Sequence, residues 1–128
     1  MIKYKKYFIS NNEGKSNCVI RSFCKMFNKD YDEVFNELVS ISQLLNCDNF
    51  NDIEVFEEYL KRHSFLQIDD YKDKIIKDLS LDNSNYIVFC YDKKDWYHMV
   101  PIINNVLYDK DDKSLNAYVI TVYKDTAK

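Results

Sequence analysis

The sequence predicts an α+β fold, with N-terminal helices packed on a C-terminal antiparallel β-sheet. Apolar residues recur at helical spacing through most of residues 17–79. From Tyr86 onward the period drops to two, in runs rich in β-branched and aromatic residues. With 128 residues, 46% of them hydrophobic and 16% aromatic, the chain has material for one packed core, and a single domain over 1–128 is expected.

A short extended piece, Lys5 to Ser10, opens the chain, followed by a polar loop from Asn11 to Ser16. Ile20, Phe23, Cys24 and Phe27 then fall at i, i+3, i+4 and i+7, one stripe of a helix over 17–27. Ser16 or Asn17 suits its N-cap, because a short polar side chain can accept from the unpaired first-turn N–H groups. A second helix starts after Asp30, with Glu33 in capping-box position and Val34, Phe35, Leu38, Ile41 and Leu45 inward. After a polar break at 46–51, a third runs from about Asp52 to His63, burying Ile53, Phe56, Tyr59 and Leu60. A strand at Phe65 to Ile68 and a fourth, weaker helix at Tyr71 to Leu79 complete the first part, and Asp82-Asn83-Ser84-Asn85 is a turn. Four strands follow, at Tyr86–Tyr91, Trp96–Ile103, Val106–Asp109 and Tyr118–Tyr123. Asn104-Asn105 fits a two-residue hairpin turn, since Asn tolerates positive φ. Pro101 cannot donate to a ladder, so its strand should lie at an edge there or carry a bulge.

Charge narrows the partners. The net charge is -3, and residues 1–64 hold 9 basic and 10 acidic groups against 9 and 11 in residues 65–128. No basic face is concentrated enough for nucleic acid. No apolar run is long enough for a membrane span, and no h-region follows Lys3, Lys5 and Lys6, so a cytoplasmic setting is expected. The abundance of Lys, Asn, Asp, Ile and Tyr suits an AT-rich genome, that of a low-GC bacterium or its phage. The four Cys, at 18, 24, 47 and 90, form no CxxC and lie in no closely spaced ligand pairs with His63 or His98. No metal or other cofactor is expected, and reduced thiols are.

Cys18 stands apart from the other thiols. With Cys18 at zero on a wheel of about 100° per residue, Ile20, Phe23, Cys24 and Phe27 lie at roughly 200°, 140°, 240° and 180°. Cys24 belongs to the buried stripe, whereas Cys18 points away from it, toward the side of Ser22, Lys25 and Lys29. It also opens the helix, where unpaired N–H groups and the macrodipole favour a thiolate, and Arg21 is one turn on. Two readings stay open here: an activated thiolate, or a Cys packed against another element.

A thiolate nucleophile needs a base, and the base needs a group to orient it. If Asn104-Asn105 is the turn, Val100 faces Asp109 and His98 faces Asp111, and His98, Val100 and Ile102 share a face with Leu107, Asp109 and Asp111. Asp109 or Asp111 thus lies beside the imidazole, diagonally or directly across. Asp109, Asp111 and Asp112 could equally form a solvated turn, and His98 could be a strand histidine satisfied by a neighbour. His63, ending a helix after Lys61 and Arg62, reads as a helix C-terminal cation.

Taken together, Asn17-Cys18-Val19-Ile20-Arg21-Ser22, the Asn28-Lys29-Asp30-Tyr31-Asp32-Glu33-Val34 join, and His98-Met99-Val100-Pro101-Ile102-Ile103 with Val106-Leu107-Tyr108-Asp109 resemble small papain-like cysteine peptidases of bacteria and phages. The bacteriocin-processing peptidases of ABC exporters are similar in their order of Cys, His and Asp. Over residues 8–112 the resemblance implies Cys18 as nucleophile, His98 as general base and acid, and Asp109 as orienter. It also implies Asn12, six residues before Cys18, as an oxyanion donor acting with the Cys18 backbone N–H. Trp96 and Asn17 adjoin the pair as candidate substrate contacts. Two function classes follow: thiol-dependent cleavage of an amide or related acyl bond in a peptide or protein, through a thioester, or a catalytically idle scaffold that binds or inhibits a protein, such as a phage factor directed at a host.

Overall fold

The computed structural model describes residues 2–9, 18–92 and 97–127. The expected cap of the first helix (Ser16 or Asn17) and the polar loop before it lie outside the described residues. The elements are β1 (Lys3–Lys6), α1 (Cys18–Phe27), α2 (Tyr31–Leu44), α3 (Ile53–Arg62), β2 (Phe65–Ile68), β3 (Asn85–Tyr91), β4 (Tyr97–Ile103), β5 (Val106–Asp109) and β6 (Tyr118–Asp125). Helices lie in the N-terminal half and most strands in the C-terminal half, an α+β arrangement.

One sheet of six strands runs in the order β1-β5-β4-β3-β6-β2. It is antiparallel except at one edge, where β1 pairs with β5 in parallel from Lys3 opposite Val106 to Lys6 opposite Asp109. The opening strand thus sits two residues earlier than the expected Lys5 start. Both edge strands, β1 and β2, precede the four C-terminal strands in the chain, so the sheet is not built from C-terminal strands alone.

Both faces of the sheet are covered. The three helices bury Ile20, Phe23, Leu38, Phe56, Tyr59 and Leu60 against Ile87, Met99 and Tyr123. On the opposite face Val88, Cys90, Val100, Ile102, Leu107 and Val119 meet Ile2, Ile76, Leu79 and Ala117. A strand covered on both sides reads as a continuous apolar run, which is why β3 is Tyr86-Ile87-Val88-Phe89-Cys90-Tyr91 without alternation.

The start of α2 follows from its cap. Asp30 Oδ1 accepts from the Glu33 N–H at 2.8 Å, so α2 begins where the capping signal lies. Two residues expected to point inward do not: Leu45, the C-cap of α2, and Ile53, the first residue of α3, are exposed, and Val55 takes the buried place. Both sit at a helix end, where the stripe runs past the neighbour it packs on.

The expected helix over 71–79 does not form. Asp73 N–H donates to Val119 O at 2.7 Å, Val119 N–H to Lys74 O at 2.9 Å, and Ile76 N–H to Ala117 O at 3.0 Å. Strand β6 thereby takes the backbone groups a helix would have used. Asp73 turns with φ of 66°, only a 3-10 turn remains at Ile76–Asp78, and Ile76 and Leu79 still reach the core.

The β4–β5 hairpin turns at Asn104 and Asn105 with φ of 54° and 63°, the positive pair a two-residue turn needs. Ile103 faces Val106 and Ile102 faces Leu107, and there the ladder stops. Pro101 is the next residue. It pairs with Ile87 of β3 on one side, and on the β5 side the ladder has already ended, so β4 is locally an edge there, one of the two accommodations expected. Ile103 and Val106 close the turn with groups that face each other, and strand alternation aims Pro101 and Met99 the same way, toward β5. Pro101 has no N–H to lose there, and β5 stays paired with β1 along its other edge.

Phe23 is fully buried and packs on Tyr59 and Phe27 with ring centroids 4.6 and 5.9 Å away. Phe23→Ala should lower stability by about 3–5 kcal/mol, the range for emptying an aromatic core position. Urea unfolding measures it, and a loss below about 1 kcal/mol would contradict this account of how α1 is held.

Candidate active site

Helix α1 is buried nearly all round. Val19, Ile20, Phe23 and Cys24 join the helical core, while Arg21 and Ser22 are buried on the other side. The side of the wheel that carries Cys18 therefore meets strands rather than water. Ser22 Oγ donates to Met99 O at 3.0 Å, and the Met99 backbone also hydrogen-bonds Cys18, one turn earlier. On the same helix Arg21 reaches Asp109, and Lys25 Nζ lies 4.3 Å from the Tyr108 ring centroid. α1 thus bridges β4 and β5 where their pairing has lapsed.

Cys18, His98 and Asp109 form one chain of contacts. Cys18 lies close enough to His98 for the imidazole to hold its thiol down by hydrogen bonding and charge. His98 Nε2 lies 2.8 Å from Asp109 Oδ2, and the carboxylate can only accept, so Nε2 carries a proton. That leaves Nδ1 for the thiol. The contact is the diagonal one of the hairpin register, with Asp109. Asp111 instead accepts from the Lys113 N–H at 3.0 Å in an exposed turn.

Asp109 is 2% exposed and accepts four hydrogen bonds on its two oxygens. Oδ1 takes Arg21 Nη2 at 3.0 Å and the Lys110 N–H at 2.8 Å. Oδ2 takes His98 and Ser114 Oγ, the latter at 3.1 Å. Its backbone carbonyl accepts from Tyr4 OH at 3.0 Å and the Tyr7 N–H at 2.8 Å.

Electrostatics follow from this wiring. Burial pushes the Cys18 thiol up, but the hydrogen bond and charge of His98, the Met99 backbone and the Arg21 charge outweigh it and hold the thiol below its ordinary range. Burial works against the His98 cation, yet the bonds to Asp109 and Cys18 raise its pKa to about 9. Burial pushes the Asp109 carboxyl up, and His98, the Lys110 N–H and Arg21 bring it below the usual carboxylate range. Cys24 moves the other way, to about 11, and Cys47 and Cys90 are also raised, in each case chiefly by desolvation. Of the four thiols, Cys18 alone is shifted toward the thiolate.

Asn12, Asn17 and Trp96 lie outside the described residues. His63 Nδ1 donates to Tyr59 O at 2.8 Å and its ring stacks on Phe27 at 4.0 Å, at the C-terminal end of α3. Among the described residues no group of three or more His, Cys, Asp or Glu is arranged to hold a metal ion, and no helix is long and apolar enough to cross a membrane. Arg21 as a partner of Asp109, and Ser114 altogether, are absent from the expectations drawn from sequence. An arginine on an otherwise apolar helix turn was the available signal for the first. Ser114 has no local signal, since only the fold brings it to Asp109.

No family model matches the chain, and no curated protein or solved structure matches it significantly.

The lowered Asp109 pKa has a definite sign for stability. A group whose folded pKa is depressed contributes above its unfolded value, near 3.9, and loses that contribution as pH falls through the folded value. Asp109→Asn should cost about 3–5 kcal/mol at pH 7, because Arg21 and His98 keep buried positive charge without its partner. The gap to wild type should narrow as pH drops below about 4. Urea unfolding from pH 2 to 7 tests this, and a gap that stays constant would refute it.

Proposed function

We propose that this chain is a thiol-dependent hydrolase or acyltransferase of papain-like type, acting on an amide or related acyl bond of a peptide or protein. One observation carries the reading: the thiol that opens a helix lies beside an imidazole that a buried carboxylate holds at 2.8 Å, and the imidazole's influence draws that thiol toward the thiolate. The order Cys18, His98, Asp109 also agrees with the papain-like resemblance. Four cysteines with no disulfide suit a reducing compartment, such as the cytoplasm of a bacterium or a phage-infected cell.

In this mechanism the Cys18 thiolate attacks the substrate carbonyl carbon. The oxyanion that forms accepts from the Cys18 backbone N–H and, by resemblance, the Asn12 side chain. His98 gives its Nδ1 proton to the departing amine as the C–N bond breaks, leaving a thioester on Cys18. It then takes a proton from water, or from an acceptor nucleophile, as that attacks the thioester, and the free acid or transferred acyl product departs. Asp109 keeps the Nε2 proton in place and offsets the imidazolium charge throughout. Trp96 and Asn17, adjoining the pair, are proposed to contact the substrate.

A second reading, an idle scaffold that binds a protein, draws on Tyr97, which adjoins His98 and is 61% exposed, and on the exposed Ile53 and Leu66. Such a binder should capture its partner equally well after Cys18 is alkylated.

The deciding measurement is the alkylation rate of each cysteine against pH, read by mass spectrometry. Cys18 should label well below the ordinary thiol pKa of about 8.5, and His98→Ala should slow it about tenfold or more at pH 6. On a cleaved substrate, Cys18→Ala should abolish turnover with the fold intact, and activity should fall as pH rises through about 9, where His98 loses its proton. A Cys18 that titrates like an ordinary thiol would sink the enzymatic reading.

A further inference from the structure

We propose that Arg21 and Ser114 are positioning residues that hold the Asp109 carboxylate in the one orientation that serves His98, with Arg21 doing so from the helix that carries Cys18. The inference rests on the enzymatic reading of the Cys18 site and adds two residues to it.

Two of the four donors to the carboxylate leave little room for choice. His98 is the group being oriented, and the Lys110 N–H is fixed by its place next in the chain. Arg21 and Ser114 are the side chains that determine which way the carboxylate turns. Arg21 binds Oδ1 at 3.0 Å, on the side away from His98, and Ser114 binds Oδ2 at 3.1 Å, sharing that oxygen with the imidazole. With all four lone-pair directions taken, rotation about the carboxylate axis breaks several bonds at once.

Neither residue is placed as a solvent-facing polar group. Arg21 is 8% exposed and Ser114 is fully buried. Burying a guanidinium costs several kcal/mol, and apolar side chains of similar volume often replace such a pair without loss of stability. Arg21 is three residues after Cys18, so the thiol and the clamp share a helix side. Ser22, bonded to Met99 O, pins that side to β4. A turn of α1 that displaced the thiol would also loosen the orienter of its base.

The test is the pH dependence of Cys18 alkylation by iodoacetamide in wild type, Arg21→Gln, Arg21→Lys and Ser114→Ala, with urea stability measured beside it. In Arg21→Gln the reactive limb should move up by about one unit, so labelling at pH 6 falls about tenfold while labelling at pH 10 stays within about twofold. Arg21→Lys, which keeps the charge and loses the planar fork, should recover part of the loss. Ser114→Ala should slow labelling about threefold at pH 6, the smaller effect expected of a neutral donor. A merely structural role lowers stability and leaves the limb where it was, and that result overturns the proposal. Should Arg21→Gln fail to fold, unmoved limbs in both other variants overturn it equally. A wild-type limb already at the ordinary thiol pKa overturns the enzymatic reading and this proposal together, an outcome visible before any variant is made.

Discussion

A carboxylate removed from water must have its solvation replaced donor by donor, and the Asp109 side chain sits almost wholly inside the molecule. Its replacements come from α1, β4, the next residue of the chain and the turn at Lys113–Asn116. Its backbone carbonyl takes two more donors from β1 and the residue after it. The sequence separations, 88 residues to Arg21 and 105 to Tyr4, mean that none of the long-range donors is available until the chain has closed. A half-assembled version would leave a buried charge unsatisfied, which is more costly than never burying it. The network therefore disfavours partial docking of α1, and with it any loose placement of Cys18.

Pro101 explains how a helix gains access to the interior of a sheet. In a full ladder the outward groups of Met99 would be taken by β5, and α1 would find only side chains to pack on. Because Pro101 offers no donor on that side, pairing with β5 ends after two residues, while β5 stays paired along its other edge with β1. The freed Met99 groups are then met by Ser22 and Cys18, four residues apart on one helix side. A residue awkward for strand formation is thus what lets the helix dock at this point.

The parts legible in the sequence are those set by local geometry. Two asparagines fixed the hairpin turn and hence its register, and that register brought Asp109 to the diagonal of His98. The wheel of α1 separated Cys18 from the apolar stripe, although the side it faces is a buried seam between strands and not solvent. What escaped depends on long-range pairing. The Ile75, Ile76 and Leu79 spacing suits a helix, but β6 competes for the same backbone and prevails. Strand β1 has no marker for its partner, because parallel pairing with β5 is set a hundred residues away. Ser114 follows Asp109 by only five residues, yet its role appears only when a 3-10 turn folds it back.

Burial of Cys18 acts in two opposed ways, and the balance explains why the thiol depends on its whole surroundings. Desolvation alone drives a thiol up, as it does for Cys24 and Cys90 in the same fold. The same low-dielectric setting magnifies each favourable contact, so a hydrogen bond and a cation count for more here than on the surface. Cys18 falls below its ordinary range only because His98, the Met99 backbone and Arg21 act together against desolvation, the largest single influence on it. His98 in turn holds its proton because Asp109 does not let go of it. Removing a link does not return the thiol to its value in water. It returns it to the value of a buried cysteine, which lies higher, so the reactivity proposed for this site belongs to the connected set rather than to Cys18 alone.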